Sequence, residues 1–506
     1  MESNKLNNNN KVIGVNTEVI LNDADIKDTP LPQPQFTILL MVRFAEPVAF
    51  TFLFPFIYKM VKDLHVTENE NQIAYYVGWI ASSFAIAQFC TTLLWGMLSD
   101  RWGRKPCILI GLLGTGTSML LFGFSNSFTW ALVTRTMGGA LNGNIAIAKS
   151  MAAELTDSTN RAKGFAIFPL IFGIGSIFGP IIGGFLYDPT DNLEIIFGDN
   201  QFLKNYPAFL PCFVISSLCY ICFVFGWFYL EETLPSKVGK LAKYKVKDEN
   251  NETERLLNSN TTNPDSTTQP QTSSSSSSST IVESNQVTDQ ESLKPVLQPS
   301  TKWNFSYTTK ITILTYTILS LMTVMFDELF ATWGPTPSEL GGVRFSTYDL
   351  ALIQSIAGVI IICTTQVYAK FAKKHGVLKL FQWAFIFFCI LMFIFPMASL
   401  IYQSWGPKVT WWSVLFIYIF RSATGIFLFT SANILVSESA ESHLLATVNA
   451  LAQTFGSLAR AVGPAAIGAI FSWSISAQHI FPFDYHLAWY LIGFICFIGA
   501  ITSRLI

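Results

Sequence analysis

The chain has 506 residues, of which 51% are hydrophobic, 14% aromatic and only 13% charged, and 32 basic against 33 acidic side chains leave a formal net charge of −1. A soluble domain carries about 25% charge and a nucleic-acid binder presents a basic face, so neither class fits. The apolar residues instead recur in blocks of about 20, the length that spans a hydrocarbon core of about 30 Å.

Residues 1–35 form a polar tail, Asn-rich at 7–10, without the apolar stretch of a cleavable signal peptide, so the first apolar block is expected to target the chain. Apolar blocks follow at 36–57, 77–95, 106–124, 128–148, 165–187, 208–230, 311–333, 350–367, 378–400, 411–436, 447–470 and 487–506, which predicts twelve membrane-spanning helices. Residues 231–310 are rich in Ser, Thr, Asn, Gln and Pro, with consecutive serines at 273–279, and bury too little apolar surface to fold. The expected organisation is therefore a disordered cytosolic tail (1–35), a six-helix bundle (36–230), a disordered cytosolic linker (231–310) and a second six-helix bundle (311–506).

Lys and Arg collect in cytosolic loops. With the N-terminus cytosolic, the inner short loops hold ten of them (Arg101, Arg104, Lys105, Lys149, Arg161, Lys163, Lys370, Lys373, Lys374, Lys379) and the outer ones five (Lys59, Lys62, Lys204, Arg344, Lys408). Lys237, Lys240, Lys243, Lys245 and Lys247 add to the linker, so both termini and the linker are expected in the cytosol. The sequons at Asn251, Asn260 and Asn304 all lie in that linker and should stay unmodified. A shift of 284 residues aligns 148–184 with 432–468 without a gap, matching Glu154 with Glu438 and Gly179-Pro180 with Gly463-Pro464. Such an internal repeat implies two related bundles around a central path, the arrangement that permits alternating access.

After the second block comes Gly96-Met-Leu-Ser-Asp100-Arg101-Trp-Gly103-Arg104-Lys105. Gly96 would let helices approach, Asp100 sits where it can pair with an Arg or meet a helix N-terminus, and the basic trio stays in the cytosol. The corresponding stretch of the second half, 368–376, keeps Lys370, Lys373 and Lys374 but lacks the Asp. Block four carries Leu132-x-x-Arg135-x-x-Gly138-Gly139, and an Arg at membrane depth is costly unless paired or functional. Block five carries Gly175-x-x-x-Gly179-Pro180-x-x-Gly183-Gly184, a smooth packing face with a bend at Pro180. Arg43 and Glu46 share a helix face at i,i+3 in block one; Asp327 and Glu328 follow in block seven, and Arg460 precedes Gly463-Pro464 in block eleven.

The loop motif resembles the signature of the major facilitator superfamily, and the Gly-Pro helix resembles that of its drug and proton antiporters. Taken with the charges of blocks one, seven and eleven, the chain is most similar to the zinc-induced-facilitator-like branch and its fungal relatives. The resemblance implies an all-α membrane protein with twelve transmembrane helices in two pseudo-symmetric six-helix bundles. It further implies a gating role for Gly96, Asp100, Arg101, Gly103, Arg104, Lys105, Glu154 and Glu438. Arg135 would take part in proton coupling, and Gly175, Gly179, Pro180, Gly183, Gly184, Gly463 and Pro464 would form the antiporter-type helix motif. The Cys-rich and His-rich motifs of the plant members have no counterpart among the five His (65, 375, 443, 479, 486).

At membrane depth four cations (Arg43, Arg135, Arg421, Arg460) stand against three carboxylates (Glu46, Asp327, Glu328), a surplus suited to an anionic substrate or chelate. Glu46 or Asp327 is the expected carrier of the transported proton, because burial and a neighbouring Arg act on a carboxyl in opposite senses. Cys219-x-x-Cys222 lies inside a block and is read as packing; no nucleotide, cofactor or metal motif occurs, so no enzyme activity is expected. Glu252-Thr-Glu-Arg-Leu256-Leu257 resembles an acidic dileucine signal for vacuolar or endolysosomal membranes, the plasma membrane being the other address. The leading expectation is a monomeric, proton-coupled exporter of a small organic or metal-chelate substrate, with protons and the lipid bilayer as its partners. Proton-coupled uptake of a small anion, a peptide or nitrate is the second reading, and a non-transporting membrane receptor or scaffold the third.

Overall fold

In lipid every backbone N–H and C=O must be satisfied within the protein, so apolar blocks of this length become helices. The structure, a computed structural model, describes residues 30–156, 160–198, 200–234, 237–238, 305–440, 445–476 and 479–506, without the side chains of 161–163, 165–166 and 445–446. The tail before residue 30, most of the linker, its sequons and its dileucine stretch lie outside the described residues. Thirteen longer helices run in chain order: α1 Gln33–Thr51, α2 Ile73–Trp102, α3 Arg104–Gly123, α4 Phe128–Leu141, α5 Asn144–Glu154, α6 Arg161–Leu186 and α7 Phe209–Tyr229, then α8 Tyr307–Trp333, α9 Thr347–His375, α10 Val377–Ile394, α11 Met397–Glu438, α12 Leu445–Ser476 and α13 His486–Thr502.

Each of the twelve apolar blocks falls on these helices. Among the described residues nine helices are long and apolar enough to cross a bilayer unaided. The other three spans depart for identifiable reasons: α1 is diluted by Arg43 and Glu46, α13 has only 17 residues, and the expected span at 128–148 is broken into α4 and α5. At that break Trp95 packs on Gly143, its Nε1 donates to the Ala140 carbonyl at 2.8 Å, and Gln88 Nε2 donates to the Asn142 carbonyl at 3.3 Å. Two side chains of α2 thus satisfy carbonyls that the helix gives up. The opposite departure occurs in α11, which is continuous across the expected loop at 401–410 but turns at Gly406 (φ +82°) before Pro407.

Two apolar cores form. One is built from residues between Phe36 and Leu230 with Ala331 added, the other from residues between Ile313 and Ala500 with Ala74 added. Large apolar side chains on the outside, such as Phe228, Trp412 and Phe416, are exposed as lipid contact requires. The two halves follow the same plan. Gly103 (φ +108°) turns α2 into α3 and Gly376 (φ +84°) turns α9 into α10, a left-handed backbone that favours glycine. Gly179 of α6 packs on α1 as Gly463 of α12 packs on α8.

The halves meet where α2 crosses α12 and α6 crosses α9. Ser82 Oγ accepts from Ala465 N at 2.9 Å, Ser472 Oγ donates to the Asn71 carbonyl at 2.5 Å, and Ser355 Oγ donates to the Ile177 carbonyl at 3.0 Å. The Phe185 and Tyr348 rings meet at 4.4 Å. All of these contacts lie in the half of each helix remote from Gly103 and Gly376. The bundle is therefore sealed at the far end, while at the motif end the Asp100 side chain is 64% exposed.

Candidate functional site

The charges at membrane depth sort themselves by partner. Arg43 Nη1 donates to Glu46 within α1, one turn apart as the i,i+3 spacing requires, and Asn142 at the α4–α5 break stands within hydrogen-bonding reach of the same carboxylate. Arg421 of α11 reaches Asp327 of α8 at 2.7 Å, with its guanidinium 4.0 Å over the face of Phe326. Both carboxylates expected to carry a proton are thus already held by an Arg.

Glu328 is not. It is 1% exposed, and neither carboxylate oxygen has a hydrogen-bond partner. The opposite charge within electrostatic reach is Arg135 of α4, across the boundary between the halves. Arg135 is 4% exposed and stacks over Phe84 at 4.5 Å instead of forming an ion pair. In α12, Arg460 Nη2 donates to Ser457 Oγ at 2.8 Å, and Tyr316 of α8 stands beside it.

Lys149 corrects the sequence reading. Counted there as a loop cation because the apolar block stops at Ala148, it lies inside α5, half-buried, within electrostatic reach of Arg43, Glu46 and Arg460. The balance at membrane depth becomes five cations (Arg43, Arg135, Lys149, Arg421, Arg460) against three carboxylates (Glu46, Asp327, Glu328). Among the described residues no carboxylate forms an ion pair with Arg135, Lys149 or Arg460.

The loop motif builds a second cluster at the end of the bundle where the halves stand apart. Arg104 pairs with Asp100 at 2.7 Å and Glu154 at 3.0 Å and donates to Ser99 Oγ at 2.6 Å. Glu232, just beyond α7, accepts from the backbone N–H groups of Arg104 at 2.8 Å and Lys105 at 3.2 Å, capping α3 where its dipole favours a carboxylate. Thr233 Oγ1 donates to Glu154 at 2.5 Å, so the start of the linker is bound into the motif. Sequence reasoning placed Glu232 at the root of a disordered linker; its position immediately after an apolar block was the only available signal. Lys105 Nζ donates to the Trp227 carbonyl, while Arg101 is exposed.

Two expected roles are not met. A Cβ on Gly96 would meet nothing within 4 Å, so this glycine mediates no close approach here. Glu438, the repeat partner of Glu154, forms no ion pair among the described residues, because Val377 follows Gly376 where Arg104 follows Gly103. The helix motif does pack as expected: Gly175, Gly179 and Gly183 run along the Pro47–Phe52 stretch of α1, and Gly184 faces Ala351 of α9. Thr51 Oγ1 donates to the Gly175 carbonyl at 3.1 Å across that contact. Pro180 lies inside α6 and Pro464 inside α12, where the Pro464 carbonyl abuts Gly78. Cys219 and Cys222 are buried and free, with Cys219 packed against Gly116.

The sequence profile described as the Major Facilitator Superfamily matches residues 39–464. The chain is 28% identical to the major facilitator superfamily multidrug transporter mfsB of Aspergillus fumigatus, over 93% of this chain and 83% of that one. It is 27% identical to the zinc-induced-facilitator-like protein 1 of Arabidopsis thaliana, over 88% of this chain and 84% of that one. Its fold resembles the crystal structure of a D-xylose-proton symporter with a TM-score of 0.64 at 15% identity, over 93% of this chain and 97% of that one. These relatives include the branch that the sequence resemblance indicated.

Proposed function

The chain belongs to the major facilitator superfamily and is a multi-pass membrane transporter, and on that premise we propose that it exchanges protons for a small organic or metal-chelate solute, exporting the solute from the cytosol by alternating access. The observation that carries proton coupling is Glu328. A buried carboxylate without a donor costs several kcal/mol if charged, so a proton accompanies it in this conformation, and Arg135 across the boundary favours its release when the halves move. Glu46 with Arg43 and Asp327 with Arg421 are the switchable pairs beside it.

The motif end, which carries Arg101, Arg104, Lys105, Lys370, Lys373 and Lys374, is the cytosolic end. Residues 1–35 and 231–310 flank the bundles 36–230 and 311–506 on that side, and the monomer is the working unit. The conformation is then inward-open, with Asp100, Arg104, Glu154 and Glu232 as the gate at the open end. Buried, partnered charges facing both halves favour transport over a receptor or scaffold role. Export accords with the multidrug name of the fungal relative. The cation surplus favours a second reading, uptake of a small anion together with protons. The acidic dileucine stretch favours a vacuolar or endolysosomal membrane over the plasma membrane.

The test is proton movement in proteoliposomes that hold a pH dye. An outward solute gradient should drive protons inward in the antiport reading, protons moving out with the solute would select symport, and no proton movement would refute coupling. Glu328→Gln should abolish the proton signal while solute exchange persists.

A further inference from the structure

After the pairs Arg43–Glu46 and Arg421–Asp327 are set aside, and Arg135 is matched with Glu328, two cations at membrane depth remain without an opposite charge of their own: Lys149 and Arg460. They come from different halves, Lys149 from α5 and Arg460 from α12, yet they lie close enough for each to feel the other's charge. The acidic group within reach of Lys149 is Glu46, which Arg43 already holds. Two like charges brought together at membrane depth are unfavourable twice over, by desolvation and by mutual repulsion. A fold keeps such a pair where an anion is to be received.

The surroundings prepare both groups for that task. Arg460 is steadied by Ser457 Oγ and by Tyr316, whose hydroxyl accepts from Gln453 Nε2 at 2.9 Å, so its remaining donors are directed by neutral partners that do not cancel its charge. Lys149 follows the break at Asn142 and Gly143, which sets the direction of α5, and stands one turn before Glu154, itself bound to Arg104 at the motif end.

We propose that Lys149 and Arg460 together bind the anionic group of the transported solute, so that the cargo is an organic anion bearing a carboxylate or a group of similar charge. The assignment rests on the transport reading above and names its substrate class. Because one cation belongs to each bundle, a bound anion replaces repulsion across the boundary with attraction to both sides. The loaded carrier then closes the motif end more readily than the empty one, which is how a ligand shifts an equilibrium between two conformations.

The test uses the full chain in proteoliposomes with four labelled probes: citrate and p-aminohippurate as anions, tetraethylammonium as a cation and glucose as a neutral solute. At least one anion should be carried saturably and should raise the thermal unfolding midpoint of the purified protein. Lys149→Gln and Arg460→Gln should each raise KM for that anion by about tenfold or more with kcat changed far less, and Lys149→Arg should recover most of the loss. Lys149→Met, checked for an unchanged unfolding midpoint, guards against a folding defect. Transport of tetraethylammonium or glucose alone, binding of neither anion, or an unchanged KM in a folded Lys149→Gln protein would overturn the assignment. The two readings fail separately: tetraethylammonium moving against protons would keep the antiport and refute the anion, while citrate moving without protons would keep the anion and refute the antiport.

Discussion

Gly78 offers a direct test of the sealed end. A Cβ placed on it would lie 2.5 Å from the Pro464 carbonyl oxygen and 3.1 Å from the Ala465 Cα, both backbone atoms that no side-chain rotation can move aside. Ordinary contact begins at 3.4 Å, so in Gly78→Ala the two helices must part by 3.4 − 2.5 = 0.9 Å at this point. Overpacking of this kind costs about 1–3 kcal/mol. The gain of about 1 kcal/mol from replacing a helical glycine by alanine applies to both conformations and cancels. The balance should therefore move toward the conformation open at the far end by roughly 5- to 150-fold. Ser82 is 0% exposed in the same seam. In a background with the eight native cysteines replaced, Ser82→Cys should react with a membrane-impermeant maleimide faster when Gly78→Ala is present, by that same factor. Gly96→Ala, whose Cβ meets nothing within 4 Å, should leave the rate unchanged. Unchanged or slower labelling in Gly78→Ala would refute the seam as described.

Other expectations follow from single contacts. Glu328→Gln replaces an unpartnered buried carboxyl with a neutral group of the same shape, so thermal unfolding should change by less than about 1 kcal/mol, whereas a charged, paired carboxylate would cost about 3–5 kcal/mol to lose. Glu232→Ala removes the cap on α3 and should lower stability by about 1 kcal/mol, visible as a lower unfolding midpoint that Glu232→Gln partly restores. Asp63, beyond α1 at the far end, has its carboxyl raised above the ordinary 3.8 chiefly by burial, against the opposing effect of the Tyr187 hydroxyl that donates to it at 2.6 Å. The native state therefore holds the proton more tightly than the unfolded chain, and stability falls as pH rises from 3.8 through the raised value. Asp63→Asn should accordingly be the more stable protein at neutral pH, with the advantage shrinking on acidification in a series of denaturation curves.

Much of the site was legible because helix spacing is local. The Arg43–Glu46 contact follows from three residues of separation, and the Gly175–Gly179–Gly183 stripe from four. Lys149 was misplaced because an apolar block ends wherever the first charge appears, although α5 continues past it to Glu154. Glu232 was unreadable because its partners, Arg104 and Lys105, stand more than a hundred residues away. The choice among three carboxylates failed for a similar reason: Asp327 and Glu328 are neighbours in sequence, yet only the first has Arg421 beside it.

The sequence by itself determined the twelve spans, the two halves and their repeat, because apolar length and periodicity act residue by residue against a solvent of fixed thickness. Tertiary structure alone decided which charges cancel, where α4 breaks from α5, and which end of the bundle is sealed. Those outcomes depend on how helices from distant parts of the chain approach one another. A charge buried at membrane depth acquires its meaning only from the partner that packing brings, or fails to bring, beside it.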